Sequence, residues 1–156
     1  MTVFVDTNVV IALLDDKDKF HDWARLTVAR LKAESPPLII PDIVYCEVSV
    51  AMKHQGEMDE AIAGLGFERL PPTNAALFRA GKAFKKYRDV NKGPKLGVLP
   101  DHIIGAMVEV LNVPLLTANP KDFVKYFDNL NVILPPELPA LPLAAVGPHD
   151  PAGAPA

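Results

Sequence analysis

Residues 2–14 read Thr2-Val3-Phe4-Val5-Asp6-Thr7-Asn8-Val9-Val10-Ile11-Ala12-Leu13-Leu14. The opening four residues make a short apolar run, suited to a strand buried on both faces. Val9–Leu14 is apolar as well and begins a helix, with Thr7 or Asn8 as its N-cap. Asp6 stands between them, a carboxylate at the carboxyl end of a strand. The same alternation continues along the chain. Leu38-Ile39-Ile40 reads as a strand stopped by Pro41, with Asp42 capping a helix from Ile43 to about His54. Phe67–Leu70 reads as a strand ended by Pro71-Pro72, and residues 74–89 as a helix. Val113–Thr117 and Asn131–Leu134 complete the strands. Further helices are expected over 20–33, with Trp23, Leu26, Ala29 or Arg30 and Leu31 on one face, from the Glu57–Glu60 stretch, over Pro100–Leu111, and as a turn over Asp122–Phe127. Strands alternating with helices specify an α/β fold with a mainly parallel sheet. Ligands of such sheets sit outside the carboxyl ends of the strands.

A chain of 156 residues with 49% hydrophobic residues forms one domain with a substantial core. No run approaches the roughly 20 apolar residues of a membrane span, so no membrane association is expected. Neither a basic start nor a long apolar segment marks a signal peptide. Cys46 is the single cysteine, which excludes an internal disulfide and suits a reducing, cytoplasmic setting. The net charge of -3 gives no global nucleic-acid signature, although a local basic patch remains compatible with it. Seven of the 16 prolines fall in residues 135–156, which read as a Pro/Ala-rich tail after a domain spanning 1–134.

Carboxylates and amides at the borders of apolar segments carry the chemistry. Asp6 and Asn119 fall at strand ends. Glu47 shares a helical stripe with Ile43, Val50 and Ala51, which places a carboxylate among apolar neighbours. Asp101 follows Pro100 and shares a face with Ile104, Gly105 and Val108; Gly105 permits close approach of another backbone or a substrate. Asp122 lies three residues beyond Asn119. Carboxylates about 4 Å apart repel by about 4 kcal/mol at an effective dielectric of 20, so such a group calls for a cation or a shared proton. Oxygen ligands favour Mg²⁺ or Mn²⁺, whereas His21, His54, His102 and His149 lack zinc spacing.

Taken together, Val5–Asn8, Pro41–Glu47, Leu99–Ala106 and Leu115–Phe123 resemble the PIN-domain ribonucleases, and among these the VapC-type toxins of toxin–antitoxin modules. The resemblance covers roughly residues 1–134. It implies a three-layer fold with a parallel central sheet flanked by helices, and a metal-dependent endoribonuclease. An RNA substrate, a small antitoxin that blocks the site, and homodimerisation are implied with it. By position, Asp6, Glu47 and Asp101 match the family's three core acids, the catalytic residues and metal ligands. The usual fourth acid is here the amide Asn119. Asp122, in an Asn-x-x-Asp-Phe ending, is placed to supply the missing charge. One negative charge fewer weakens a second metal site. Thr7 and Thr117 are expected to orient carboxylates through their hydroxyls.

Within the resemblance, the chemistry is hydrolysis of a phosphodiester by a water that Mg²⁺ or Mn²⁺ activates. No histidine base is required, and His102 is expected to point away along its helix. Arg79, Lys82, Lys85, Lys86, Arg88, Lys92 and Lys95 form a basic stretch suited either to phosphates or to a solvated face, and Tyr87 could stack on a base. The acids do not by themselves separate an RNA-degrading toxin from an RNA-processing or DNA-acting PIN nuclease. A non-catalytic PIN-fold binding module is the other alternative. A Gly-rich phosphate loop after the first strand is absent, which argues against a nucleotide binder.

Overall fold

The computed structural model describes residues 1–34, 36–90 and 99–136. Five strands, β1 (Val3–Val5), β2 (Leu38–Pro41), β3 (Glu68–Leu70), β4 (Leu115–Leu116) and β5 (Val132–Ile133), form one sheet in the order β3-β2-β1-β4-β5. Every pairing is parallel, so all carboxyl ends lie on one edge. The helices are α1 (Thr7–Leu14), α2 (His21–Ala33), α3 (Asp42–Ser49), α4 (Gln55–Leu65), α5 (Asn74–Val90), α6 (Pro100–Leu111) and α7 (Lys121–Val124). The α/β expectation is met.

Strands of two to four residues make few ladder bonds, so burial holds this sheet. Phe4, Val5, Ile40, Leu115 and Leu116 are fully enclosed, each side chain contributing about 1.5–3 kcal/mol. β1 is the central strand, and register places Phe4 beside both Ile39 and Leu115. Helices α5 and α6 pack closely because α5 buries only Ala76, Ala80 and Ala83. Beneath α6, the Phe127 ring occupies the space a side chain at 105 would need: a Cβ there would lie 2.3 Å from Phe127 Cε2. Gly105 therefore admits a ring of this chain, and neither a backbone nor a substrate.

Several local expectations change. Asp6 itself caps α1, its Oδ1 accepting from the Thr7 N–H, so neither Thr7 nor Asn8 is the cap. On α2 the buried face is Ala24, Thr27, Val28 and Leu31, with Leu26 60% exposed. Leu31 lies on the buried face as expected, and Trp23 packs against the core partly buried. α3 ends at Ser49, whose hydroxyl donates to the Tyr45 carbonyl four residues back, a bond that competes with the helix. His54 caps the next helix instead, accepting from the Glu57 N–H through Nδ1. Asp42 caps nothing by its side chain; it opens α3 and pairs with Arg69 at 2.9 Å. Pro41 belongs to β2, and β4 and β5 are shorter than their apolar runs. Part of the expected basic stretch falls in 91–98 and most of the expected tail in 137–156, outside the described residues. Among the described residues no helix is long and apolar enough to cross a membrane.

Candidate active site

At the carboxyl edge of the sheet, Asp6 leaves β1 buried, at 3% exposure. Its Oδ2 accepts from Thr117 Oγ1 and from Asn8 Nδ2, each at 2.7 Å. Asn8 also donates to Thr117 Oγ1 at 3.2 Å and accepts from the Ala118 N–H at 3.0 Å. One amide thus ties the ends of β1 and β4 together and fixes the Asp6 carboxylate. Thr7 Oγ1 donates to Glu47 Oε2 at 2.5 Å, which draws α3 into the same group. The expected roles of Thr7 and Thr117 divide cleanly, with Thr7 on Glu47 and Thr117 on Asp6. Asn8, taken from sequence as a helix cap, joins the site instead.

The electrostatics bring four acids together. Asp6 is pushed up to about 7, first by burial, then by the charges of Asp101 and Glu47, against the lowering effect of its Thr117 and Thr7 bonds. Asp101, half-buried near the start of α6, is pushed up to about 6 by burial, by Asp122 and by Glu47. Asp122, exposed on α7, is therefore the charge Asp101 feels most. Glu47 arrives by a different route from the one expected. α3 buries Val44 and Val48, while Val50 is 89% exposed, so Glu47 is half-buried at the border of the site and not on a core stripe.

Asn119 is exposed, and among the described residues it reaches this network only by its main-chain N–H, 3.0 Å from Thr117 Oγ1. His102 is buried, its pKa lowered by burial. Arg79 leaves the basic stretch: it pairs with Glu109, donates to the Tyr126 carbonyl and lies over the Phe127 ring. Lys85 pairs with Asp89, and Lys82 lies over Phe78. Lys86 and Arg88 remain exposed, while Lys92 and Lys95 lie outside the described residues. Tyr87 is half-buried against Phe84, His102 and Tyr126.

Among the described residues, no three Asp, Glu, His or Cys side chains stand close enough, as placed, to hold one metal ion. The donor set nevertheless suits a hard cation. It is all oxygen, and two of its acids, raised first by burial and then by neighbouring carboxylates, retain protons towards neutrality, a charge that a cation would offset.

A model of the PIN-domain family matches residues 3–127. No curated protein matches the sequence. Solved structures do. A toxin–antitoxin complex from Klebsiella pneumoniae is 27% identical, with a TM-score of 0.56 over 79% of this chain and 90% of that one. VapBC2 from Rickettsia felis, bound to a DNA fragment from its promoter, is 20% identical, with a TM-score of 0.64 over 86% and 98%. VapC20 from Mycobacterium tuberculosis, a toxin cleaving the sarcin–ricin loop, is 17% identical, with a TM-score of 0.54 over 81% and 96%.

Proposed function

Because the chain belongs to the PIN-domain family, we propose that it is a divalent-metal-dependent endoribonuclease and the toxin of a toxin–antitoxin pair. One observation carries the nuclease reading: at the carboxyl edge of the sheet Asp6 of β1 and Asp101 of α6, both raised first by burial, are raised further by neighbouring carboxylates, Asp6 by Asp101 and Glu47, and Asp101 by Asp122 and Glu47. The Klebsiella pneumoniae and Rickettsia felis complexes support the antitoxin partner. VapC20, a sarcin–ricin loop cleaving toxin, supports RNA as substrate.

Asp6, Glu47 and Asp101 would hold Mg²⁺ or Mn²⁺, with Asp122 in place of Asn119 as the fourth acid. When bound, the ion supplies Lewis acidity to the phosphodiester and acidifies a water. The chain's own residues prepare that site. Thr117 and Asn8 hold Asp6 Oδ2 in one orientation, and Thr7 holds Glu47. Such supporting bonds commonly govern metal affinity by about 10–100-fold. Lys86 and Arg88, exposed on α5, offer positive charge for phosphates.

The test is cleavage of total RNA by purified protein with Mg²⁺, with Mn²⁺ and with chelator, beside Asp6→Asn and Asp101→Asn. Discrete fragments that require metal and vanish in both variants support the enzyme. Cleavage of DNA with RNA left intact moves the assignment to a DNA-acting PIN nuclease. Absence of both cleavage and Mn²⁺ binding leaves the binding module. Co-expression with the product of an adjacent small gene, followed by sedimentation, tests the antitoxin and the homodimer together.

A further inference from the structure

Helix α6 carries Asp101, and it begins without an ordinary cap. Leu99 occupies the N-cap position, and its side chain has no oxygen to offer the first turn. Pro100 follows and has no N–H to satisfy. The Leu99 N–H donates instead to Nδ1 of His102, at 3.3 Å. His102 is the third residue of the helix, the position from which Glu or Gln reaches back in a capping box.

We infer that His102 is a positioning residue for Asp101, a neutral replacement for the capping Glu that fixes the first turn of α6 without adding a carboxylate to the acidic group. The inference rests on Asp101 being a metal ligand, as proposed above. Three observations carry it. An imidazole nitrogen that accepts from an N–H has no proton of its own, so the ring is neutral and protonated on Nε2. That Nε2 is buried and has no hydrogen-bond partner among the described residues, a cost that a Phe or Leu filling the same space would avoid. What His102 offers beyond Phe is therefore Nδ1, and Nδ1 serves the turn that holds Asp101. Finally, the ring is wedged by aromatic neighbours, Tyr126 at 5.1 Å, Tyr87 at 5.5 Å and Phe84 at 6.0 Å between centroids, so Nδ1 is held in place by packing from α5 and the segment after α7. A Glu at this position would cap as well, and would add one more negative charge beside Asp101 and Asp122.

The experiment compares the full-length protein with His102→Gln, which keeps an acceptor at the capping position, with His102→Phe, which keeps an aromatic ring and removes the acceptor, and with Asp101→Asn. Mn²⁺ alone is titrated and free ion followed by electron paramagnetic resonance, with urea midpoints measured in parallel. His102→Phe is expected to weaken Mn²⁺ binding about 10-fold or more, and His102→Gln to stay within about 3-fold of wild type. Equal Mn²⁺ affinity in His102→Phe and wild type overturns the inference, as does a loss in His102→Gln matching that in His102→Phe. If Asp101→Asn binds Mn²⁺ as tightly as wild type, the assignment of Asp101 as ligand is what has failed. Nitrogen chemical shifts of His102 in the wild type stand apart from any variant's folding. The proton on Nε2 is expected, and a proton on Nδ1 overturns the inference.

Discussion

Removing the Asp6 charge should stabilise the metal-free protein, which is unusual for a residue at the centre of a site. Asp6 moves from an ordinary value of 3.8 in the unfolded chain to about 7 when folded. At about 1.4 kcal/mol per unit, the ionised carboxylate costs the fold about 4 kcal/mol above pH 7. The sign follows from proton binding. Between the two values the folded state holds a proton that the unfolded state has lost, so stability falls as pH rises. Below the unfolded value both states are protonated and the penalty is gone. Going from about pH 8 to about pH 5.5 should recover about 2 kcal/mol of it. Asp101, raised to about 6, acts in the same direction. His102, lowered by burial, acts in the opposite one, because its unfolded form gains a proton first as pH falls. Comparison with Asp6→Asn isolates the Asp6 contribution. The amide presents one NH₂ where Asp6 accepts from Thr7, Asn8 and Thr117, which forfeits about 1 kcal/mol. Asp6→Asn should therefore exceed wild type by about 3 kcal/mol near pH 8 in chelator, and the gap should narrow by about 2 kcal/mol near pH 5.5. Urea unfolding followed by the fluorescence of Trp23, the single tryptophan, measures both. A variant less stable than wild type near pH 8, or a gap that does not change with pH, would refute the argument. Millimolar Mn²⁺ should raise the wild type towards the variant and leave the variant where it was.

Thr117→Val removes the hydroxyl that donates to Asp6; it should raise the Asp6 pKa further and weaken Mn²⁺ binding about 10-fold, measured by carboxyl NMR titration and metal titration. Gly105→Ala places a Cβ in the Phe127 ring and should cost about 1–3 kcal/mol, with Phe127→Leu in the same chain restoring part of the urea midpoint. Asp122→Asn should lower Mn²⁺ affinity and the Asp101 pKa together, whereas Asn119→Ala should leave RNA cleavage within about 2-fold of wild type, because only its main chain meets the network.

The α/β class and two of the proposed site acids were legible because their signal is local. Asp6 borders the run Val3–Val5, and Asp101 follows Pro100 at a helix start. Helix phase was less legible. α2 buries Ala24 and Thr27 and leaves Trp23 partly buried and Leu26 exposed, since a helical period leaves the phase of the buried face open by one residue. Glu47 was found for a reason that did not hold: its stripe faces outward at Val50, and a Thr7 hydroxyl brings it in. Asn8 was missed because its partners, Thr117 and Ala118, lie more than 100 residues away. Its one visible signal was a second polar residue after Asp6, surplus to capping. Arg79 read as part of a cationic stripe until tertiary structure paired it with Glu109.

Two uncharged residues at the border of the site then have one physical explanation. Asp6 and Asp101 already hold protons to about 7 and about 6, so the metal-free site is near the limit of negative charge it tolerates. A further carboxylate about 7 Å away would add about 2 kcal/mol at an effective dielectric of 20. At the β4 end the chain carries Asn119, which offers its N–H to Thr117 and no charge. At the start of α6 it carries His102, which caps through a neutral nitrogen. The negative charge that the site does keep beyond Asp6, Glu47 and Asp101 is Asp122, exposed on α7, whose field reaches Asp101. Restoring Asp at 119 should accordingly destabilise the metal-free protein by about 1–2 kcal/mol and tighten Mn²⁺ binding, both measurable by the same urea and metal titrations. A variant that binds no more Mn²⁺ and unfolds at the wild-type midpoint would show that residue 119 stands outside the field of the site.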